Sequence, residues 1–497
     1  MAMKLKGIHL AIALALACAS TYGCGPARHC SGTKASIEEF NIENPAAAEI
    51  MANSDATFDG KTSTPMAQKQ YHAANALAEY RSDQPAMKTI RFECKSSRAQ
   101  LKASVIMARD EAFREIVLMD TITLSHKESG MFKGSYTLRN MVPGQTYHYM
   151  VCDGPAGGRY IAKGSFRATG QLRMIGIDDG FNIRDLGGWK GLGGRTLRYE
   201  SIYRGGSLGG TDMYGATDGT LSEAAAKELR RIGIRAQLDL RAATDEGKYA
   251  GEKSFHSYAR DYTTLSGADY CQTQTDYGAY DEDASVVSDM AWIIYELRNG
   301  RPVYFNCRQG ADRTGTIAFV IEGLTGCFQA ANSHGANQMA IDYELTSFSR
   351  AELVDKAAKE NSGIRGSDEA FSSKDKLFRK LMYMEADDVT FRHSYDDEAG
   401  NTKANMLAIQ ERCYYYLNRY WSTHEPHGGS NAVNTAVCID DDDIDWFIRY
   451  MLGLSEREYA RFKPSWARSW NGTDVAGRPY DLRHIGEANA KVVEYCR

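Results

Sequence analysis

The spacing of apolar residues changes rule near Gly170, and that change decides what this chain can fold into. Upstream, apolar positions recur every second residue. Ile90, Phe92 and Cys94 alternate with Arg91 and Glu93. Phe132, Tyr136 and Leu138 share one face of their run, as do Tyr147, Tyr149 and Val151, and the same period marks Leu101–Met107, Glu115–Leu124 and Tyr160–Ala168. Short period-two runs separated by turns such as Pro143-Gly144 predict a β-sandwich over 85–170. Downstream, helical and strand periods alternate. Ser222 caps a predicted helix with Ala225, Leu229 and Ile232 on one face, and Gly233 ends it. Ile234, Ala236, Leu238 and Leu240 then read as a strand. A second helix runs from Ser285 through Val286, Met290, Ile293, Ile294 and Leu297 to Asn299-Gly300; Val303-Tyr304-Phe305 reads as a strand, with a helix from about Arg313. Such alternation predicts an α/β layered domain with a central sheet flanked by helices. From about residue 340 the pattern is helical and polar; Asp440–Asp443 should sit at the start of a helix beginning near Ile444, and Ser455 with Glu458 forms a capping box.

The chain of 497 residues is therefore read as multidomain: a leader over 1–19, a polar tether or the start of the sandwich over 20–84, the all-β sandwich over 85–170, and the α/β domain with a helical C-terminal part over 171–497. Lys4 and Lys6 precede the ten-residue apolar stretch Ile8–Ala17, too short to span a bilayer and suited to an export signal. Export to the periplasm, to the outer membrane through a lipid anchor on Cys18, or to the medium is the expectation. With 59 Lys+Arg against 64 Asp+Glu, the formal charge of −5 offers no basic field for nucleic acid. Oxidising surroundings would permit disulfides, with Cys94 and Cys152 falling in one domain and Cys413 and Cys438 in another, although spacing does not fix pairing. No CxxC pair is present, and His424 with His427 lacks an evident third ligand, so no metal site is predicted.

The chemistry is concentrated in Asn306-Cys307-Arg308-Gln309-Gly310-Ala311-Asp312-Arg313-Thr314-Gly315, between a short strand and a helix. A tight loop there can turn backbone N–H groups inward as an anion nest, and the following helix adds the positive end of its dipole. Arg308, Gln309, Gly310, Ala311 and Thr314 are the candidate binding positions. The same field favours a thiolate at Cys307, a nucleophile. Arg313 can hold two oxygens of a phosphoryl group with its planar fork. Gly310 lets backbone approach closely. No metal or organic cofactor is required for this chemistry. Asp239, at a predicted strand end, is a further candidate for the general acid, and Arg184, Asp185 and Arg204 for the pocket wall. A buried core cysteine is the competing reading of Cys307.

This loop resembles the C-x5-R-[ST] signature of protein tyrosine and dual-specificity phosphatases, and more closely the bacterial tyrosine/serine phosphatase subfamily with its H-C-x-A-G-K-D-R-T-G loop. Phe181-Asn182-Ile183-Arg184-Asp185-Leu186-Gly187-Gly188, Ile202-Tyr203-Arg204-Gly205-Gly206-Ser207-Leu208, Gly233-Ile234-Arg235 with Leu238-Asp239-Leu240-Arg241, and Asp342-Tyr343-Glu344-Leu345-Thr346 follow that subfamily's motifs in order. The resemblance implies a cysteine-dependent phosphatase domain, with Asp312 as general acid and a phosphorylated protein or small phosphate ester as substrate. Three departures stand out: Asn306 replaces histidine, Gln309 replaces a small residue, and Ala311 replaces lysine. The stretch LRNMVPGQTYHYMVC is similar to a strand of fibronectin type III-like domains. An inactive module that binds phosphorylated ligands and a rhodanese-like sulfurtransferase are the competing functions; the latter's loop usually holds four residues before its basic position, not five. Oligomeric state is not encoded in any pattern of the sequence.

Overall fold

The computed structural model describes residues 37–43, 85–96, 99–127, 131–154, 160–209, 221–241, 269–272, 285–307, 310, 312–327, 338–339, 342, 345, 413, 422–424, 435–437, 439 and 441–463. The leader, Cys18, most of the 20–84 segment, Arg308, Gln309 and Ala311 lie outside these residues, as does Cys438. The chain divides into two compact units, residues 1–42 with 86–170 and residues 43–85 with 171–497.

The first unit contains β1 (Glu38–Asn41), β2 (Lys88–Lys95), β3 (Leu101–Ala108), β4 (Ile116–Lys127), β5 (Met131–Leu138), β6 (Thr146–Asp153) and β7 (Tyr160–Thr169), hydrogen-bonded in the order β1-β7-β6-β3-β4-β5-β2. The long β4 joins two sheets: Ile116 to Leu124 pair with β3, and Ser125 to Lys127 pair with β5. Folding the second sheet over the first buries the predicted period-two faces together. Ile90, Phe92 and Cys94 meet Val105, Phe132, Tyr147, Val151 and Phe166 in one core, while Arg91 and Glu93 stay exposed. The approach is close at Gly134, where a Cβ would lie 2.5 Å from Leu124 and 2.7 Å from the Phe92 ring. β1, from the segment ahead of residue 85, runs parallel to β7 and lines the same core through Phe40 and Ile42. Cys94 and Cys152 are both buried.

The second unit holds a five-stranded sheet of β8 (Arg184–Asp185), β9 (Ile202–Gly205), β10 (Ala236–Asp239), β11 (Asp269–Gln272) and β12 (Val303–Asn306), in the order β11-β10-β12-β9-β8. The first four strands of that order are mutually parallel, and β8 is antiparallel to β9. A parallel sheet must be covered on both faces. Tyr203 and Tyr304 point to the face covered by α1 (Glu223–Arg231), in a core with Ala225, Leu229 and Ile232. Ile202, Leu238, Val303 and Phe305 point to the other, packed against α2 (Ser285–Arg298), α3 (Asp312–Leu324) and α4 (Asp441–Leu452). α1 starts where its cap predicts: Ser222 Oγ accepts from the Ala225 N–H at 3.2 Å. Gly233 and Gly300, at φ +100° and +70°, follow α1 and α2 in the left-handed conformation that glycine adopts without strain.

Three details depart from the sequence reading. α4 starts at Asp441, not near Ile444, because the carboxylates themselves fill the first turn at the positive end of the dipole. The C-terminal part also contains strand: β13 (Ser422–His424) pairs antiparallel with β14 (Thr435–Val437), and this places His424 on a ladder instead of in an open loop. The strand expected from Ile234 is hydrogen-bonded as a sheet strand only over 236–239. The capping box of α5 (Glu456–Phe462) forms as expected, with the Ser455 N–H and Oγ at 2.9 and 2.7 Å from Glu458 Oε2. Among the described residues, no helix is long and apolar enough to cross a membrane.

Candidate active site

Parallel strands of an open sheet end on the same edge, and ligands of such folds bind outside those carboxyl ends. β10 and β12 are in register with Asp239 opposite Asn306, so the residues that follow both strands emerge side by side. Cys307 is the first residue beyond β12; it is 3% exposed. Its N–H donates to Thr314 Oγ1 at 2.7 Å, which ties the start of the loop to the first turn of α3. The hydroxyl is thus an acceptor from the backbone of Cys307, and its own hydrogen remains to be directed elsewhere. Arg313, 2% exposed, donates from Nη1 to the Leu240 carbonyl at 3.2 Å, just past the end of β10. Leu240 in turn donates its N–H to the Asn306 carbonyl at 2.8 Å. Nucleophile candidate and guanidinium are therefore anchored to the same two strand ends. Asp312 opens α3, directly before Arg313.

Asn306, standing where the resemblance expects histidine, is completely buried. Its Oδ1 accepts from Gln237 Nε2 at 2.7 Å, and its Nδ2 donates to the Cys307 carbonyl at 3.3 Å. It pins β12 to β10 immediately below the loop. On the same face of β12, two residues back, the Tyr304 hydroxyl donates to the Gly206 carbonyl. Burial, reinforced by negative charge at Cys307, pushes that phenol well above its usual range.

Asp239 is fully buried, and both of its oxygens are taken by the fork of Arg241: Oδ1 from Nε at 2.9 Å and Oδ2 from Nη2 at 2.7 Å. That geometry directs the carboxyl at Arg241. Asp185 is also an anchor. Its Oδ2 accepts from Arg173 Nη1 and from the Glu200 N–H, both at 2.8 Å, and its Oδ1 from the Gly187 N–H at 2.8 Å. Burial pushes its carboxyl up, against the pull of Arg173. Gly187 is needed there, because a Cβ would lie 2.5 Å from the Tyr199 Cα.

Arg184 and Arg204 face one another across the β8–β9 pair, both almost wholly buried. Like charges directly opposite on a sheet repel. Asp342 lies between them: Arg184 Nε donates to Oδ1 at 2.7 Å, and Arg204 Nη1 donates to Oδ2. Burial works to raise the Asp342 carboxyl, but Arg184 and Arg204 together hold it below the ordinary range. Glu322 of α3 behaves oppositely. Burial, and then the charge of Asp342, pushes it well above the usual range. Arg204 also reaches the loop itself: Nη2 donates to the Gly310 carbonyl at 3.0 Å, with Asn182 Nδ2 on the same oxygen at 3.3 Å. Sequence reasoning named Arg184, Asp185 and Arg204 as pocket candidates, but not Asn182, Glu322 or Asp342 as part of the site. The available signal was that Asn182 and Asp342 lie inside the matched motifs.

Among the described residues no group of three or more His, Cys, Asp or Glu could hold a metal ion. The model of the tyrosine phosphatase family matches residues 175–412, which contain Asn182, Arg184, Asp185, Arg204, Asp239, Asn306, Cys307, Arg313, Glu322 and Asp342. Over that stretch the chain is similar to tyrosine phosphatases. The chain is similar to the crystal structure of TpbA from P. aeruginosa, at 14% identity and a TM-score of 0.22 over 42% of this chain and 92% of TpbA. It is likewise similar to a cysteine-to-serine TpbA in complex with pTyr, at 15% identity and a TM-score of 0.20 over 39% and 91%. No curated protein matches the sequence.

Proposed function

We propose that the chain is an exported phosphomonoesterase that hydrolyses phosphotyrosine or related phosphate monoesters through a cysteinyl-phosphate. The observation that supports this reading best is Cys307 at the carboxyl end of β12, seven residues before the Thr314 hydroxyl that holds its amide, with Arg313 anchored to the neighbouring strand end. The Cys307 thiolate attacks phosphorus and forms an S–P bond as the P–O bond to the leaving group breaks. Asp312 gives its proton to the departing oxygen. Water then attacks phosphorus, the S–P bond breaks, and Asp312 takes back a proton. Arg313 holds two of the phosphoryl oxygens throughout, and the N-terminus of α3 adds its dipole to the stabilisation of developing charge. Both thiolate and arginine work without a metal or organic cofactor.

Export rests on the Lys4, Lys6 and Ile8–Ala17 leader pattern, with the periplasm, the outer membrane or the medium as destination and a lipid on Cys18 as the membrane alternative. For the first unit we propose a fibronectin type III-like sandwich; one sheet ordered β7-β6-β3-β4 facing a β5-β2 sheet supports that reading. The test is turnover of para-nitrophenyl phosphate by the full chain. Cys307→Ser and Arg313→Ala should each remove it while far-UV dichroism stays native. Substantial turnover in either variant refutes the assigned role. Thiosulfate sulfurtransfer without ester hydrolysis would favour the rhodanese-like alternative.

A further inference from the structure

Gln237 is out of place in β10. A strand with parallel neighbours on both sides reads as a near-continuous apolar run, because helices cover both faces of such a sheet. All four residues of β10 are buried, and Gln237 is 3% exposed. It lies in register with Tyr304, which puts its side chain on the face of the sheet that carries Tyr304 and Asn306. Its Nε2 donates to Asn306 Oδ1 at 2.7 Å. Its Oε1 is buried and, among the described residues, accepts from no donor. A buried acceptor left unmade costs stability, and an apolar side chain of the same length would avoid that cost. Only the donor half of this amide is in use.

Asn306 carries the donation forward. With its oxygen claimed by Gln237, its amide turns the nitrogen the other way, and Nδ2 donates to the Cys307 carbonyl at 3.3 Å. The ladders of β12 with β10 and with β9 both end at Asn306, one residue short of Cys307. A buried backbone N–H and C=O beyond a ladder have to find side chains. Thr314 Oγ1 takes the Cys307 N–H at 2.7 Å, and Asn306 serves the carbonyl. A residue has only two soft backbone dihedrals, and holding both its N–H and its carbonyl sets the two together. The direction of the Cα–Cβ bond that carries the sulfur follows. We propose that Gln237 is a positioning residue for the Cys307 nucleophile: it orients the Asn306 amide, and that amide holds the Cys307 carbonyl opposite the grip of Thr314. This rests on the phosphatase reading of Cys307. Neither amide titrates, so the relay contributes geometry and no proton.

The experiment uses the full chain with para-nitrophenyl phosphate as substrate and inorganic phosphate as competitive inhibitor. Gln237→Leu removes the donor; it exchanges one unpartnered oxygen, its own Oε1, for another, Asn306 Oδ1, and melting curves check that it folds. Asn306→Ala is the second route should Gln237→Leu not fold. In each, kcat/KM should fall at least about tenfold, on the way to the roughly 10²-fold that a displacement of about 1 Å can cost, while the inhibition constant of phosphate stays within about twofold. The double variant should be no slower than Asn306→Ala alone, because Gln237 acts only through Asn306. A merely structural role would lower the melting temperature and leave kcat/KM per folded molecule within about twofold; that result overturns the proposal. Losses that multiply in the double variant overturn it too, as does an equal fall in phosphate affinity, which would place the effect away from the sulfur. If the native chain shows no turnover, the phosphatase reading fails and the proposal falls with it. Native turnover that both variants retain defeats the proposal alone.

Discussion

Two glycines of the second unit share φ +70° and differ in their surroundings, and alanine at each isolates the contact that Gly310 makes with the end of β9. Gly300 follows α2, and a Cβ there would meet nothing within 4 Å. Gly310 would place a Cβ against three backbone atoms of Gly205 and Gly206, at 2.4–2.6 Å. The left-handed penalty is common to both, about 1–2 kcal/mol, and the loss of unfolded-state freedom on replacing glycine also cancels between them. What remains at Gly310 is overpacking against backbone, which no rotamer change relieves, at about 1–3 kcal/mol. Gly300→Ala should therefore cost about 1–2 kcal/mol and Gly310→Ala about 2–5 kcal/mol, the sum of the two effects. All six tryptophans of the sequence (Trp189, Trp292, Trp421, Trp446, Trp466 and Trp470) belong to the second unit. Urea unfolding followed by tryptophan fluorescence thus reports this unit and not the sandwich. Equal midpoints and slopes for the two variants would refute the contact of Gly310 with β9, and with it the seating of the loop on that strand.

Glu322→Gln keeps the shape of the neutral acid. A carboxyl whose folded pKa is raised contributes stability that is complete below the unfolded pKa and is lost as pH rises towards the folded value, here because burial and Asp342 oppose ionisation. The stability difference, variant minus native, should therefore grow by about 1.4 kcal/mol per pH unit from about pH 4.5 upward, and a flat difference across pH 5–8 in chemical denaturation would contradict it. Asp185→Ala leaves the buried Arg173 guanidinium without its 2.8 Å carboxylate and should cost about 3–5 kcal/mol; if stability is intact but turnover disappears, Asp185 belongs to the chemistry after all. Ser222→Ala removes the N-cap of α1 and should cost about 1 kcal/mol in the same fluorescence assay, with no loss refuting the cap.

What the sequence disclosed was local. The period-two runs, the Ser222 cap and the strand–Cys307–Arg313–helix spacing involve neighbours within a few residues, and each formed essentially as read. What it withheld was tertiary. β1 offers only four residues in a polar, alanine-rich stretch, too short to show a period, and is recognisable as a strand only because β7 presents an open edge to it. Asp239 reads as a free strand-end acid until Arg241, two residues on along the same strand direction, closes on both of its oxygens. Arg204 reads as a possible pocket residue, but its partners do not show: Asp342 lies 138 residues later and Gly310 106 residues later. Periodicity cannot express such distances.

The charges behind the loop complete the electrostatic case. Arg184 and Arg204 are guanidinium ions, which proteins do not deprotonate. Arg184 and Arg204 hold the Asp342 carboxyl below the ordinary range, while burial and the charge of Asp342 push Glu322 above it. The two guanidinium charges therefore meet one carboxyl that favours its ionised form and one that resists ionisation. Buried charge is screened far less than surface charge. The resemblance places a lysine at the position of Ala311 and a histidine at that of Asn306, and this chain has neither positive group. The arginine pair, set opposite one another by β8 and β9 and held by Asp342, brings positive potential to the Gly310 carbonyl from behind the backbone instead.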